Sequence, residues 1–487
     1  MTSLICALVW GCLSLKLYSR YLDVGIYGVV AVALTILGYL QYLDGGFRTT
    51  TNREILGNPS HENKLRLIRF SQTFYSILCL VVLPVALIAM TAYWLTPKVA
   101  GSGAPLMFFL AVGATMTVSF LGWAQIGLLV GLGAQTSFFM LNALNSSAML
   151  ASLWICLGQG AGIWAFPLST LGGLAVCYPT GLWLIRRKEP HLQIICFQAG
   201  AEFWRQFKLI GQDAWPCFRL QVGVFFLFTL DVVLVGLLCR SAQDAAIYAV
   251  LSRLLAMMRS FLQAAGEVAW PMVAQMDGDE HAFAAFLLRS GGWLAGSTLG
   301  ALAFTLSVFL GYYMGPAWTP SHLLVNLLAA RALVTTVSSA ASYLLIGRGA
   351  FGTVARYVQR ELAAAVFLGS VLAPRFGMNG IAFGFLASTT LGTLGPMFFA
   401  YGKAVRTSGG QLMWQAWWRA GVGFAASATV AVLLLPMARS AWQTFAVAAA
   451  AALTALACGA VICGFRLVRA RESCFLRLKL SEVLANI

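Results

Sequence analysis

Between Val99 and Ile185 the chain runs 87 residues without an Asp, Glu, Lys, Arg or His. A water-soluble domain cannot present so long an uncharged run, rich in Leu, Val, Phe and Gly, to solvent; at about 20 apolar residues per crossing, it is dissolved in lipid as several helices. The second half differs. Arg219, Asp231, Arg253, Arg259, Glu267 and Arg331 are threaded through stretches just as apolar. An ionisable group at bilayer depth is costly unless it faces a wet cavity or a partner, so each of these is a candidate functional residue.

Composition agrees with a polytopic membrane protein: 60% of residues are hydrophobic and 10% charged, with a mean hydropathy of +0.81. The formal charge of +16 does not point to nucleic acid, because no soluble segment interleaves basic and aromatic residues. Eleven cysteines are scattered mainly through apolar segments with no C-x-x-C or Cys/His spacing, and read as small core residues. Leu4–Leu15 is apolar but has no basic residues before it and no A-x-A site after it, so it reads as a first spanning helix rather than a signal peptide.

Hydropathy, Pro, Gly and charge punctuation place fourteen helices at about 2–19, 24–44, 68–95, 104–122, 137–156, 161–185, 213–239, 245–272, 284–313, 321–346, 353–373, 379–402, 413–436 and 441–465. One alternating set of loops, including the basic tail, carries 22 Lys/Arg and the opposite set six. By the positive-inside rule both termini are cytoplasmic, as an even number of crossings requires. A repeat sharpens the layout: Ile26-Tyr27-Gly28-Val29 returns as Ile247-Tyr248-Ala249-Val250, and Gly162-Ile163 with Ser169-Thr170 returns as Gly380-Ile381 with Ser388-Thr389. Two echoes at nearly one offset favour duplication.

The expected fold class is therefore an all-α polytopic membrane protein of about 14 transmembrane helices. Residues 1–187 form an amino-terminal six-helix lobe, 188–212 a cytoplasmic amphipathic linker, 213–402 a second six-helix lobe, and 403–487 two extra helices with a basic tail. Six helices per repeat make the repeats parallel, with a substrate path between them. Phe203-Trp204-Arg205-Gln206-Phe207-Lys208 in the linker reads as an interfacial helix, or as a solvated linker with incidental aromatics. Gly292, Gly296 and Gly300, and the stripe Gly380, Gly384, Ser388, Gly392, read as close helix packing without chemistry.

On the eighth helix Arg253 and Glu267 fall within roughly 40° of one face, with Arg259 at its edge. Arg219 and Asp231 lie on the seventh and Arg331 on the tenth. Four arginines against two acids make a net positive lobe whose natural ligand is an anion, and the arginine fork suits phosphate. The alternative is that Arg219, Arg253 and Arg259 snorkel, or pair internally with Asp231 and Glu267. Asp231 and Glu267 are also the candidates for proton or sodium coupling.

Enzyme chemistry finds no foothold: there is no phosphate-binding loop, dinucleotide fingerprint or H-E-x-x-H, and no catalytic or metal-ligating set is assigned. No cofactor is expected. His61, His191, His281 and His322 read as solvated or capping residues. Asn145-Ser146-Ser147 is a sequon buried in a span. A membrane glycosyl-transfer enzyme would need a large outer loop, and every outer loop is short.

Tyr21-Leu22-Asp23-Val24-Gly25-Ile26-Tyr27-Gly28, then Leu43-Asp44-Gly45-Gly46-Phe47 and Arg53, resemble the opening of bacterial Wzx-type polysaccharide flippases of the multidrug/oligosaccharidyl-lipid/polysaccharide exporter superfamily. Leu230-Asp231-Val232-Val233-Leu234, Ile247-Tyr248-Ala249-Val250 with Arg253, Trp270-Pro271, Gly347-Arg348-Gly349 and Gly377-Met378-Asn379-Gly380-Ile381-Ala382 are similar to its later pattern. The resemblance implies a two-lobed, fourteen-helix protein of the bacterial inner membrane. Its expected substrate is an undecaprenyl-pyrophosphate-linked oligosaccharide, flipped by alternating access for surface or exopolysaccharide synthesis. Arg48 and Arg53, at the inner end of the second helix, would capture the headgroup or serve as solvated positive-inside charges. Partners implied are the lipid-linked oligosaccharide, membrane lipid and the polysaccharide polymerase machinery. An ion-coupled small-molecule antiporter of the same superfamily is the alternative.

Overall fold

A computed structural model describes residues 2–57, 60–189, 200–239, 241–273, 280–348, 350–404, 406 and 408–462, and every regular element among them is helical. The chain divides into two compact units, Met1–Val250 and Leu251–Ile487. The first holds α1 (Thr2–Tyr21), α2 (Val24–Leu40), a 3₁₀ turn at Gln41–Asp44, α3 (Phe47–Gly57), α4 (His61–Trp94), α5 (Pro97–Ala100), α6 (Leu106–Gly131), α7 (Gln135–Gly158), α8 (Ala165–Lys188), α9 (Ala201–Leu238) and the first turns of α10 (Ala242–Val273). The second holds the rest of α10, α11 (Glu280–Met314), α12 (His322–Gly347), α13 (Phe351–Thr389), α14 (Gly395–Ala404), α15 (Gly409–Leu434) and α16 (Ala441–Ile462). This division follows packing, and is a different partition from the duplicated halves read in the sequence.

Eleven helical segments among the described residues are long and apolar enough to cross a membrane. One of them, Phe351–Ala404, is 54 residues long and folds back on itself at Gly377, whose φ of 57° and ψ of −138° suit glycine. Beyond the turn Gly380 lies against Leu372, Gly384 against Gly369 and Gly392 against Glu361. Partners that step backwards as the chain advances define an antiparallel hairpin, so this segment supplies the two spans expected at 353–373 and 379–402. The second arm continues into α14 through a π-helical turn at Thr390–Leu394. α2, at 17 residues, is about 26 Å long and reaches the bilayer thickness only with its 3₁₀ extension.

Close approach of helices replaces the missing hydrophobic drive in lipid. In the second unit Gly292, Gly296 and Gly300 of α11 face the backbone of α15 at Ala416, Ala420 and Phe424. In the first unit Gly28 of α2 faces Ala242 and Ala246 of α10. Polar side chains along α12 are satisfied locally: Thr335, Thr336, Ser338, Ser339 and Ser342 donate to carbonyls three or four residues earlier.

The amphipathic segment is continuous with the span that follows it, because α9 runs unbroken from Ala201 to Leu238. Phe203 and Phe207 dock among Phe47, Phe70 and Phe74, with Phe47–Phe207 at 4.9 Å and Phe70–Phe203 at 5.3 Å. Glu202 bridges Arg66 and Arg205, each at 3.2 Å. Trp204, Leu209 and Trp215 stay exposed on the other side. Residues 190–199 of the linker and the basic tail at 463–487 lie outside the described residues.

Candidate functional site

Asp231 sits deep in α9, 1% exposed. Its Oδ2 accepts from the Tyr248 hydroxyl at 3.1 Å and its Oδ1 from the Val232 N–H at 2.9 Å. Tyr248 is the aromatic of the second Ile-Tyr-Ala-Val echo, so the repeat has placed a fully buried donor where the mid-span carboxylate needs one. Tyr39 of α2 stacks on Phe226 at 4.3 Å and closes an aromatic wall beside it. Arg219 lies twelve residues earlier on the same helix, about 18 Å away along the axis, and is exposed. These two sequence candidates share a helix but not a site.

In the second unit Arg331 of α12 is 6% exposed, and its guanidinium lies over the Phe385 ring at 4.6 Å from the centroid. Glu361, 1% exposed on the first arm of α13, stands within electrostatic reach of it. The hydroxyls nearest the carboxylate, Thr389 and Thr393, donate to the carbonyls of Phe385 and Thr389 at 2.9 and 3.0 Å. Neither Glu361 oxygen therefore accepts a hydrogen bond from the described residues. The count of two in-span acids thus needs correction: Glu361 is a third, and it opposes Arg331. It escaped the sequence reading because Arg356 and Arg360 precede it and give the helix start a cytoplasmic look. Its position eight residues into the predicted span, about 12 Å deep, was the available signal.

Arg253 and Arg259 are half-buried on α10, which is continuous to Val273. The side chains of Glu267 and Arg53 lie outside the described residues. Arg48 is exposed on α3, and its Cγ and Cδ lie 3.0 and 3.2 Å from where a Cβ on Gly127 of α6 would stand. Among the described residues no group of His, Cys, Asp and Glu could hold a metal ion.

Lys98 has a role its sequence position concealed. Its ammonium donates to the carbonyls of Gly236 at 3.3 Å, Leu237 at 2.9 Å and Cys239. A cation on the last carbonyls of α9 satisfies groups the helix itself cannot and complements its dipole.

A family model described as "Polysaccharide biosynthesis protein" matches residues 2–277. No curated protein matches the chain. Among solved structures it is similar to one described as "Lipid II flippase MurJ, inward closed conformation", with 13% identity, a TM-score of 0.69, and coverage of 96% of this chain and 98% of that one. It is also similar to an inward-facing multidrug resistance MATE family transporter of the MOP superfamily, with 14% identity, a TM-score of 0.62, and coverage of 82% and 96%. At such identities the likeness establishes the fold, and it is the exporter-superfamily fold that the sequence motifs implied.

Proposed function

The chain belongs to the polysaccharide biosynthesis protein family, and on that footing we propose that it is a flippase for undecaprenyl-pyrophosphate-linked oligosaccharide repeat units. It would act by alternating access in the bacterial inner membrane, with both termini cytoplasmic, and feed the polysaccharide polymerase machinery. The observation that carries this reading is the pair of half-buried arginines, Arg253 and Arg259, on a helix long and apolar enough to cross a membrane. A sugar pyrophosphate cannot enter hydrocarbon unaided, and two arginine forks replace the water around its phosphates with charge-assisted hydrogen bonds. The polyprenyl tail meanwhile remains in lipid.

Arg331 is covered by Phe385 and opposed by Glu361, so anion binding in the second unit falls mainly on Arg253 and Arg259. Arg219 and Arg48, both exposed, and Arg53 would meet the headgroup as it enters. Asp231 and Glu267, now joined by Glu361, are the carboxylates available for proton or sodium coupling. Arg253→Ala and Arg259→Ala, reconstituted in proteoliposomes, should slow flipping of a labelled lipid-linked oligosaccharide by about tenfold or more, the loss expected for one charged hydrogen bond. Unchanged flipping and surface polysaccharide output would overturn the assignment. Accumulation of drugs, rather than lipid-linked sugars, on gene deletion would favour an antiporter.

A further inference from the structure

The first unit contains a cleft of about 420 Å³ lined by Arg48 and Asn52 of α3, Trp123 of α6, and Phe138, Asn142 and Asn145 of α7. Its volume falls within the range of small-molecule sites, about 300–1,000 Å³. It is built by packing: Gly131 and Gly127, one turn apart on α6, let α3 lie so close that Asn52 and the stem of Arg48 pass over bare backbone. α7 supplies the opposite wall, with Asn142 and Asn145 about one turn apart.

These amides have unspent hydrogen-bonding capacity. The Asn145 amide nitrogen reaches only the Met149 thioether, at 3.8 Å, a weak acceptor. Asn52 and Asn142 make no side-chain hydrogen bond among the described residues. Three open carboxamides in a membrane domain are expensive unless the space they line is wet or filled by a polar ligand. Their chemistry restricts that ligand. A carboxamide offers two N–H donors and an acceptor, which matches hydroxyls that both donate and accept. Trp123 and Phe138 offer apolar faces, and Arg48 adds a single cation for a phosphate or carboxylate.

We propose that this cleft is a saccharide subsite: Asn52, Asn142 and Asn145 bind the hydroxyls of a sugar, Trp123 and Phe138 cover its C–H faces, and Arg48 takes the adjoining anionic group. The inference rests on the flippase reading and adds to it the part of the substrate that this cleft recognises.

The test uses the full chain in detergent with two probes: the lipid-linked oligosaccharide extracted from cells lacking the gene, and bare undecaprenyl pyrophosphate. Asn142→Ala with Asn145→Ala should weaken binding of the glycolipid about tenfold, as two lost neutral hydrogen bonds imply, and leave the bare pyrophosphate unaffected. Arg48→Ala should weaken both. Asn142→Leu, which keeps the shape and is at home in lipid, guards against a folding defect and should reproduce the selective loss. If the asparagine variants bind the glycolipid like the wild type, or lose both probes equally, the subsite is refuted while the flippase reading stands. If the wild-type protein binds neither probe, both fall.

Discussion

Replacing Gly296 by alanine tests the packing of the second unit most directly. A Cβ there would lie 2.1 Å from the Ala420 carbonyl oxygen, and at Gly292 and Gly300 the corresponding backbone oxygens, Ala416 and Phe424, are each 2.5 Å away. Ordinary carbon–oxygen contact begins near 3.3 Å, so α15 must retreat by about 1 Å at its closest point to α11. Overpacking of that kind costs about 1–3 kcal/mol, and a gap approaching 1 Å forfeits a quarter to a half of each neighbouring dispersion contact. Alanine's better helix propensity returns about 0.5–1 kcal/mol. The net expectation is a loss of about 1–2 kcal/mol, read as a drop of a few degrees in apparent melting temperature at fixed scan rate in detergent. The triple variant at 292, 296 and 300 should lose well under three times as much, because one displacement of α15 relieves all three clashes. Gly291→Ala on α11 and Gly421→Ala on α15 meet nothing within 4 Å and should be neutral or slightly stabilising. If Gly296→Ala melts with those controls, the close α11–α15 seam does not exist.

Tyr248→Phe removes one donor from the buried Asp231 carboxylate and should destabilise by about 1.5–3 kcal/mol; thermal melts of this variant in an Asp231→Asn background should show a smaller loss, and equal losses would deny the hydrogen bond. Arg331→Met alone leaves Glu361 buried and uncompensated, at about 3–5 kcal/mol, whereas Arg331→Met with Glu361→Gln should recover much of that stability. Additive losses in the same melts would show that the two do not interact. Gly377→Ala forces an L-residue into a backbone conformation that costs about 1–3 kcal/mol, and a wild-type melting temperature would contradict the hairpin turn.

The helices were legible because lipid imposes a single length and hydropathy on every crossing. The small-residue stripes were legible for a related reason, and both proved to be close seams: one joins α11 to α15, the other closes the hairpin on itself. Continuity was harder to read. α9 runs from the polar linker through position 216, a proline, into the span without a break, where charge and Pro punctuation suggested a boundary at 212. Charge in an apolar stretch marked Asp231 and Arg331, and both are buried. Glu361 was masked by neighbouring arginines. Asn52 and Asn142 carry no such mark, and Asn145 drew notice only as part of a sequon, because amides leave the charge count at zero although their demand for hydrogen bonds in lipid is severe.

The unbroken length of α9 also has a mechanical meaning. At 38 residues it is a rod of about 57 Å, nearly twice the hydrocarbon thickness, held at one end by the Lys98 ammonium and at the other by stacked phenylalanines. A rod held in this way converts angle into distance. A tilt of about 10° about the Lys98 end would carry Ala201 roughly 10 Å for a helix of this rise, so a small rearrangement at one membrane face is delivered, magnified, at the other.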